Sequence, residues 1–134
     1  MAAKRTISAA VFTALLALSG CSTYKGYMGS ACGWEEAQVF PQGVVIHRSN
    51  GVEIPPSAKR ITVKYGPNEL WVSVGSPNDP GLKNRPVYKL YFVARPEQRY
   101  AVTRKGGDGL ICVWEMLPMT EQPDFSRSYG CATE

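Results

Sequence analysis

Along most of the chain, apolar and polar positions alternate in short runs separated by turn residues, the period-two pattern of strands with one buried face. Gly43-Val44-Val45-Ile46-His47 is a β-branched run closed by Ser49-Asn50-Gly51, whose Asn-Gly pair favours a tight turn. Pro55-Pro56 excludes a helix and interrupts any central strand. Ile61 to Tyr65 alternates, and after Gly66-Pro67-Asn68 so do Leu70, Val72 and Val74 against Trp71 and Ser73, which predicts a hairpin. Gly75 to Pro86 is rich in Gly, Pro, Asn and Asp and has no apolar pattern, as expected of a long loop. Val87 to Ala94 places Val87, Tyr91 and Val93 on one face and Tyr88, Leu90, Phe92 and Ala94 on the other, broken only by Lys89. That predicts a central strand covered on both sides. A turn at Arg95-Pro96-Glu97-Gln98, a strand from Arg99 to Arg104, a turn at Lys105 to Gly109 and a strand from Leu110 to Met116 complete a three-stranded antiparallel meander. Ala31 to Phe40 fits a short helix or a first strand, and from Leu117 on, Pro118 and Pro123 mark a tail that packs only if Cys131 ties it down. The expected fold is mostly β, a small antiparallel β-sandwich or partly open barrel, in a single domain over residues 31–134.

The chain opens differently. Lys4 and Arg5 precede an uncharged run from Ile7 to Leu18, which ends in Leu18-Ser19-Gly20-Cys21. A membrane-spanning helix needs about 20 apolar residues, and this run is shorter and interrupted by Ser8, Thr13 and Ser19. Leu18-Ser19-Gly20-Cys21 resembles the lipobox of bacterial lipoproteins. The resemblance implies that residues 1–20 are a signal peptide, that the Cys21 thiol receives diacylglycerol (acyl chains such as palmitate), and that cleavage falls between Gly20 and Cys21. The new amine is then acylated in turn. Ser22, where an Asp would retain the protein at the inner membrane, implies transport to the inner leaflet of the outer membrane, with the domain in the periplasm. One acyl chain holds a protein only reversibly, whereas two or more make attachment stable. Residues 21–30 read as lipidated Cys and tether: Ser22 to Ser30 is polar, contains glycine and lacks apolar order. About nine flexible residues span roughly 15–18 Å, which keeps the domain close to the membrane. Tyr24, Tyr27 and Met28 alternatively dip into the interface, where aromatic rings are favoured.

Charge then changes the picture. Of 15 Lys and Arg, Lys4 and Arg5 leave with the signal, so 13 face 11 acidic residues and the formal excess falls from +4 to +2. Nucleic-acid binding needs a strong basic footprint, and neither this balance nor the compartment provides one. Cys21 being lipidated, Cys32, Cys112 and Cys131 remain for an oxidising compartment, so one disulfide and one leftover thiol are expected. Cys32 with Cys131 would staple both ends and leave Cys112 as a buried thiol between Ile111 and Val113; Cys112 with Cys131 would pin the tail to the last strand. Both pairings stay open, because spacing does not dictate connectivity.

Candidate chemistry is sparse. His47 is the single histidine, so any metal site or Ser-His-Asp arrangement depends on it, and a polar residue at a strand end accounts for it. The chain has no Gly-x-Ser-x-Gly, no Cys-x-x-Cys and no phosphate-binding glycine loop. Glu35 and Glu36 are adjacent and therefore point apart, and Gly106-Gly107-Asp108-Gly109 is explained by a hairpin turn. No enzyme, cofactor or metal is expected. Arg95, Arg99, Arg104 and Lys105 gather around the meander's turns, with Lys59, Arg60 and Lys64 ahead of the first hairpin, and can meet lipid phosphates, peptidoglycan carboxylates or an acidic protein face. Tyr100-Ala-Val-Thr-Arg-Lys105-Gly106 resembles the Tyr-x-x-x-Thr-Lys-Gly motif of lipoprotein inhibitors of c-type lysozyme, with Arg104 in place of the threonine. Two classes follow: an accessory or assembly factor of an envelope complex, favoured by a hydrophobic groove sufficient to bind a partner's helix, or a ligand-binding or inhibitor module, favoured by a compact barrel with protruding basic loop residues.

Overall fold

The computed structural model describes residues 36–107 and 109–132. The expected signal peptide and tether, with Cys21 and Cys32, lie outside the described residues. The described residues contain nine strands and no α-helix: β1 (Glu36–Pro41), β2 (Val44–Ser49), β3 (Val52–Glu53), β4 (Ile61–Lys64), β5 (Gly66–Val74), β6 (Tyr88–Ala94), β7 (Arg99–Arg104), β8 (Ile111–Met116) and β9 (Pro123–Cys131). They form a five-stranded sheet in the order β4-β1-β7-β8-β9 and a four-stranded sheet in the order β3-β2-β5-β6. The two sheets pack face to face as a sandwich and do not close into a barrel.

The inward positions of both sheets supply the core. Ala37 and Val39 of β1, Ile61 and Val63 of β4, Tyr100 and Val102 of β7 and Ile111 and Val113 of β8 meet Val44 and Ile46 of β2, Leu70 and Val72 of β5 and Leu90, Phe92 and Ala94 of β6. Aromatic rings pack on one another, Phe92 against Tyr100 between the sheets and Tyr100 against Tyr129 within the five-stranded sheet. Phe92 and Tyr100 stand edge to face at 5.4 Å, and Tyr100 and Tyr129 at 5.2 Å. The Tyr100 hydroxyl is satisfied by the Arg95 backbone N–H at 2.9 Å, and burial raises its pKa above the ordinary tyrosine value.

Of the ambiguous stretch from Ala31 to Phe40, the described part from Glu36 on is in β1, which pairs antiparallel with β4 and parallel with β7. Asn50-Gly51 forms the expected tight turn, with Ser49 paired to Val52 and both central residues at positive φ, 52° and 81°. Three expectations are corrected. β4 and β5 make no hairpin: Gly66, at φ 97°, turns the chain out of one sheet into the other. Gly66-Pro67-Asn68 is therefore not a loop but the start of β5, paired with Ala94, Val93 and Phe92. The buried Asn68 amide donates to the carbonyls of Lys64 and Gly66, both at 2.9 Å, and accepts from Asn50 Nδ2 at 2.7 Å, so one side chain satisfies the polar groups exposed at the corner.

The second correction concerns β6, which is an edge strand rather than a central one. Its outward row is open, with Tyr91 56% and Val93 61% exposed, and Val87 just before the strand is 50% exposed. The Arg95–Gln98 turn carries the chain to the opposite sheet, held there by Glu97 N–H to Glu36 O at 2.8 Å and Gln38 N–H to Gln98 O at 3.0 Å. β6 and β7 consequently never pair, and the antiparallel meander is β7-β8-β9, one strand later than expected. Third, the C-terminal stretch is a nine-residue strand, not an irregular tail. Cys112 and Cys131 are direct cross-strand partners and form a disulfide. This is the tail-pinning pairing; Cys112 is not a free thiol.

Candidate functional site

The four basic residues marked as a candidate contact are not brought together. Arg99 and Arg104 bound β7, and five residue steps at about 3.3 Å separate them by roughly 17 Å. Arg95 lies over the Tyr129 ring at 6.0 Å and Arg99 over Phe40 at 5.4 Å, at one end of the strand. Arg104 and Lys105 sit at the other end, beside the turn to β8. Tyr100, the first position of the inhibitor-like motif, is fully buried in the core.

His47 lies at a bulge where the register of β2 against β5 shifts between Ile46 and Arg48. Its Nε2 is 2.6 Å from Ser73 Oγ. Burial lowers the imidazole pKa below its usual value, so the ring is neutral at pH 7, as a general base would be. Ser73 is nevertheless 0% exposed, and the depression beside His47 is lined by Arg48, Glu53, Ile54, Pro55 and Pro56 without Ser73. A nucleophile that no substrate can reach is a structural hydroxyl. The described residues also bring no three His, Cys, Asp or Glu side chains together for a metal.

What the fold does assemble is the outer face of the four-stranded sheet. The register sets Arg48 of β2, Trp71 of β5 and Lys89 of β6 in one cross-strand row. The Arg48 guanidinium and the Lys89 ammonium lie 5.2 and 5.1 Å from the Trp71 ring centre, where the ring quadrupole attracts cations. Glu69, the next outward residue of β5, faces Tyr91 in register. Its Oε1 accepts the Trp71 indole N–H at 2.6 Å; that bond, then one from Tyr91, holds the Glu69 pKa below the usual carboxylate range. Tyr91 is raised in turn by its bond to Glu69. The face thus presents an anchored tryptophan, two cations and the exposed Tyr91, Val93 and Val87. The legible signal was Trp71, a large aromatic on the solvent side of an alternating strand.

A second feature lies at one end of the sandwich, where the β1–β2 turn, the loop before β4 and the loop after β5 enclose a cleft of about 930 Å³. Phe40, Pro41, Pro56 and Pro77 form apolar walls; Gln42, Ser57, Lys59, Arg60, Ser76 and Asn78 are polar lining, and Glu121 is the one acidic residue among them. Lys59 and Arg60 make no ion pair with any described residue. No family model matches the chain, and no curated protein or solved structure matches it.

Proposed function

We propose that the chain is a lipoprotein anchored through Cys21 to the inner leaflet of the outer membrane, with a non-enzymatic periplasmic domain that serves as an accessory or assembly module of an envelope protein complex. The observation that carries this reading is the outer face of β2, β5 and β6, where Val87, Tyr91 and Val93 are exposed beside Trp71 and its two cations. Aromatic and Arg side chains at the centre of a patch are the groups that dominate protein interfaces. An edge strand with an apolar outer row is ordinarily blunted by charge or covered; Lys89 is the one charge along this row. The partner surface that fits is apolar at its centre with carboxylates around it, opposite Arg48 and Lys89. The inhibitor alternative draws on Lys105 and Gly106 at the tip of the β7–β8 hairpin, but its Tyr100 belongs to the core and the sandwich lacks the compact barrel that reading favours.

The test is photo-crosslinking in the native cells from a benzophenone placed at Lys89 or Val93, with Lys83 as a control position. Stoichiometric capture of one envelope complex from the first two positions is expected. Equal capture from all three, or capture of abundant lipoproteins alone, defeats the assembly reading, and lysozymes become the next partners to assay. Cys21→Ala abolishes processing and membrane fractionation if the anchor is correct; unchanged mature size and fractionation would sink it.

A further inference from the structure

Most cations of the domain already have a neighbour. Arg85 pairs with Asp79 at 2.9 Å and Arg127 with Glu115 at 3.5 Å. Arg48 and Lys89 lie over Trp71, Arg95 over Tyr129 and Arg99 over Phe40. Lys64 is also engaged. Lys59, Arg60, Lys83, Arg104 and Lys105 are exceptions among the described residues, and of these Lys59 and Arg60 are side by side on the wall of the cleft at the end of the sandwich. Their charges are available to a ligand without breaking an existing pair.

The cleft is held open by contacts independent of those cations. Asp79 organises the loop after β5: its Oδ1 accepts the Gly81 N–H and its Oδ2 the Arg85 guanidinium, both at 2.9 Å. Gly75 N–H donates to Gly43 O at 3.2 Å, joining that loop to the β1–β2 turn. Ala58 N–H closes a turn on Pro55 O at 3.0 Å, and Gln42 Nε2 donates to Glu121 O at 2.6 Å. Pro41, Pro56 and Pro77 stiffen the walls. Such preorganisation lowers the ordering cost of binding.

We infer that this cleft binds an extended acidic peptide segment, with its carboxylates on Lys59 and Arg60 and its backbone and apolar side chains along the proline and serine walls. The guanidinium fork matches a carboxylate in a bidentate geometry, and the ammonium adds a second charge-assisted donor. A volume of about 930 Å³ lies at the upper end of small-ligand sites and suits several residues of peptide. A sugar is a poorer fit, because the lining holds a single aromatic ring, Phe40, and Arg99 already lies over one of its faces. This inference does not depend on the outer-face reading, since none of the cleft residues belongs to that patch.

The test is a titration of the full chain in detergent micelles with N-acetylated Ala-Glu-Ala-Glu amide, followed by ¹H–¹⁵N NMR, against the Ala-Gln-Ala-Gln counterpart and inorganic phosphate. Saturable shifts confined to residues 56–60 and 75–78 are expected with the Glu peptide only. Lys59→Gln/Arg60→Gln should weaken binding at least about tenfold, as lost charge-assisted bonds do, while Lys83→Gln, outside the cleft, leaves it unchanged. Both substituted residues are exposed, and unaltered spectra away from the cleft verify folding. Equal response to the Gln peptide, equal affinity for phosphate, shifts centred elsewhere, or full binding by the double variant each overturns the assignment.

Discussion

Replacing both Cys112 and Cys131 by Ala tests the strongest covalent element of the fold. The cross-link closes a segment of sequence separation 19, for which the chain-entropy model gives about 3 kcal/mol at 25 °C. A domain of this size has a total stability of roughly 5–15 kcal/mol, so the loss is a large share of it. Urea unfolding of the parent and the double variant measures the difference. The urea slope should rise, because the unfolded chain without the cross-link exposes more surface. Connectivity is checked independently by tryptic mapping without reductant: cleavage after Lys105 and Arg127 separates residues 106–127, which hold Cys112, from residues 128–134, which hold Cys131. These two peptides should migrate as one linked species. The rival pairing links residues 26–48, which hold Cys32, to residues 128–134, and its much longer loop implies about 4.7 kcal/mol. Recovery of that species, or a double variant as stable as the parent, would refute the reasoning.

Asn68→Ala should cost about 2–4 kcal/mol in the same urea assay, since it strips hydrogen bonds from the Lys64 and Gly66 carbonyls and from the Asn50 amide at about 1 kcal/mol each, plus the penalty for groups left unpaired. Gly130→Ala drives a Cβ into the Tyr91 carbonyl oxygen, a clash with backbone; a loss of about 1–3 kcal/mol is expected, with the largest amide shifts in β6 and β9. His47 has a depressed pKa in the fold, so below the ordinary histidine value the unfolded chain binds more protons than the folded one. Its contribution is complete above that value and is lost as pH falls through the folded pKa; the urea midpoint should drop between about pH 7 and about pH 5, with a shallower drop in His47→Asn.

The strands were legible where alternation was clean, as in Ile61 to Lys64 and Leu70 to Val74, because the buried faces there are β-branched and leucine side chains. Their partners were not. Gly66-Pro67-Asn68 has turn chemistry, and neighbouring strands often pair, yet that chemistry serves a corner between sheets, satisfied by the Asn68 amide. Apolar residues on both faces of β6 fit two physical situations, a covered central strand and an edge strand with an exposed apolar row; only the position of β7 in the other sheet distinguishes them. For the candidate sites, the types of the cations could be read but not their neighbours. Arg95 and Arg99 are adjacent to a turn in sequence, and only the fold sets them against Tyr129 and Phe40 and leaves Lys59 and Arg60 over a cleft. The cysteine pairing was undecided because Pro118 and Pro123 disguised β9, whose alignment with β8 brings Cys131 opposite Cys112.

The position of β1 has a mechanical consequence. The chain enters the described domain at Glu36, and that first strand lies not at an edge but between β4 and β7. Tension applied from the N-terminal side pulls β1 along its own axis, against β4 at Gln38–Thr62 and Val39–Ile61 and against β7 at Gln38–Arg99 through Pro41–Val102. The ladder bonds run across the strand, so such a load shears them together on both flanks instead of peeling them one by one. A module held to a membrane at one end and to a large assembly at the other would therefore yield abruptly at high force, with the two sheets still intact until β1 slips.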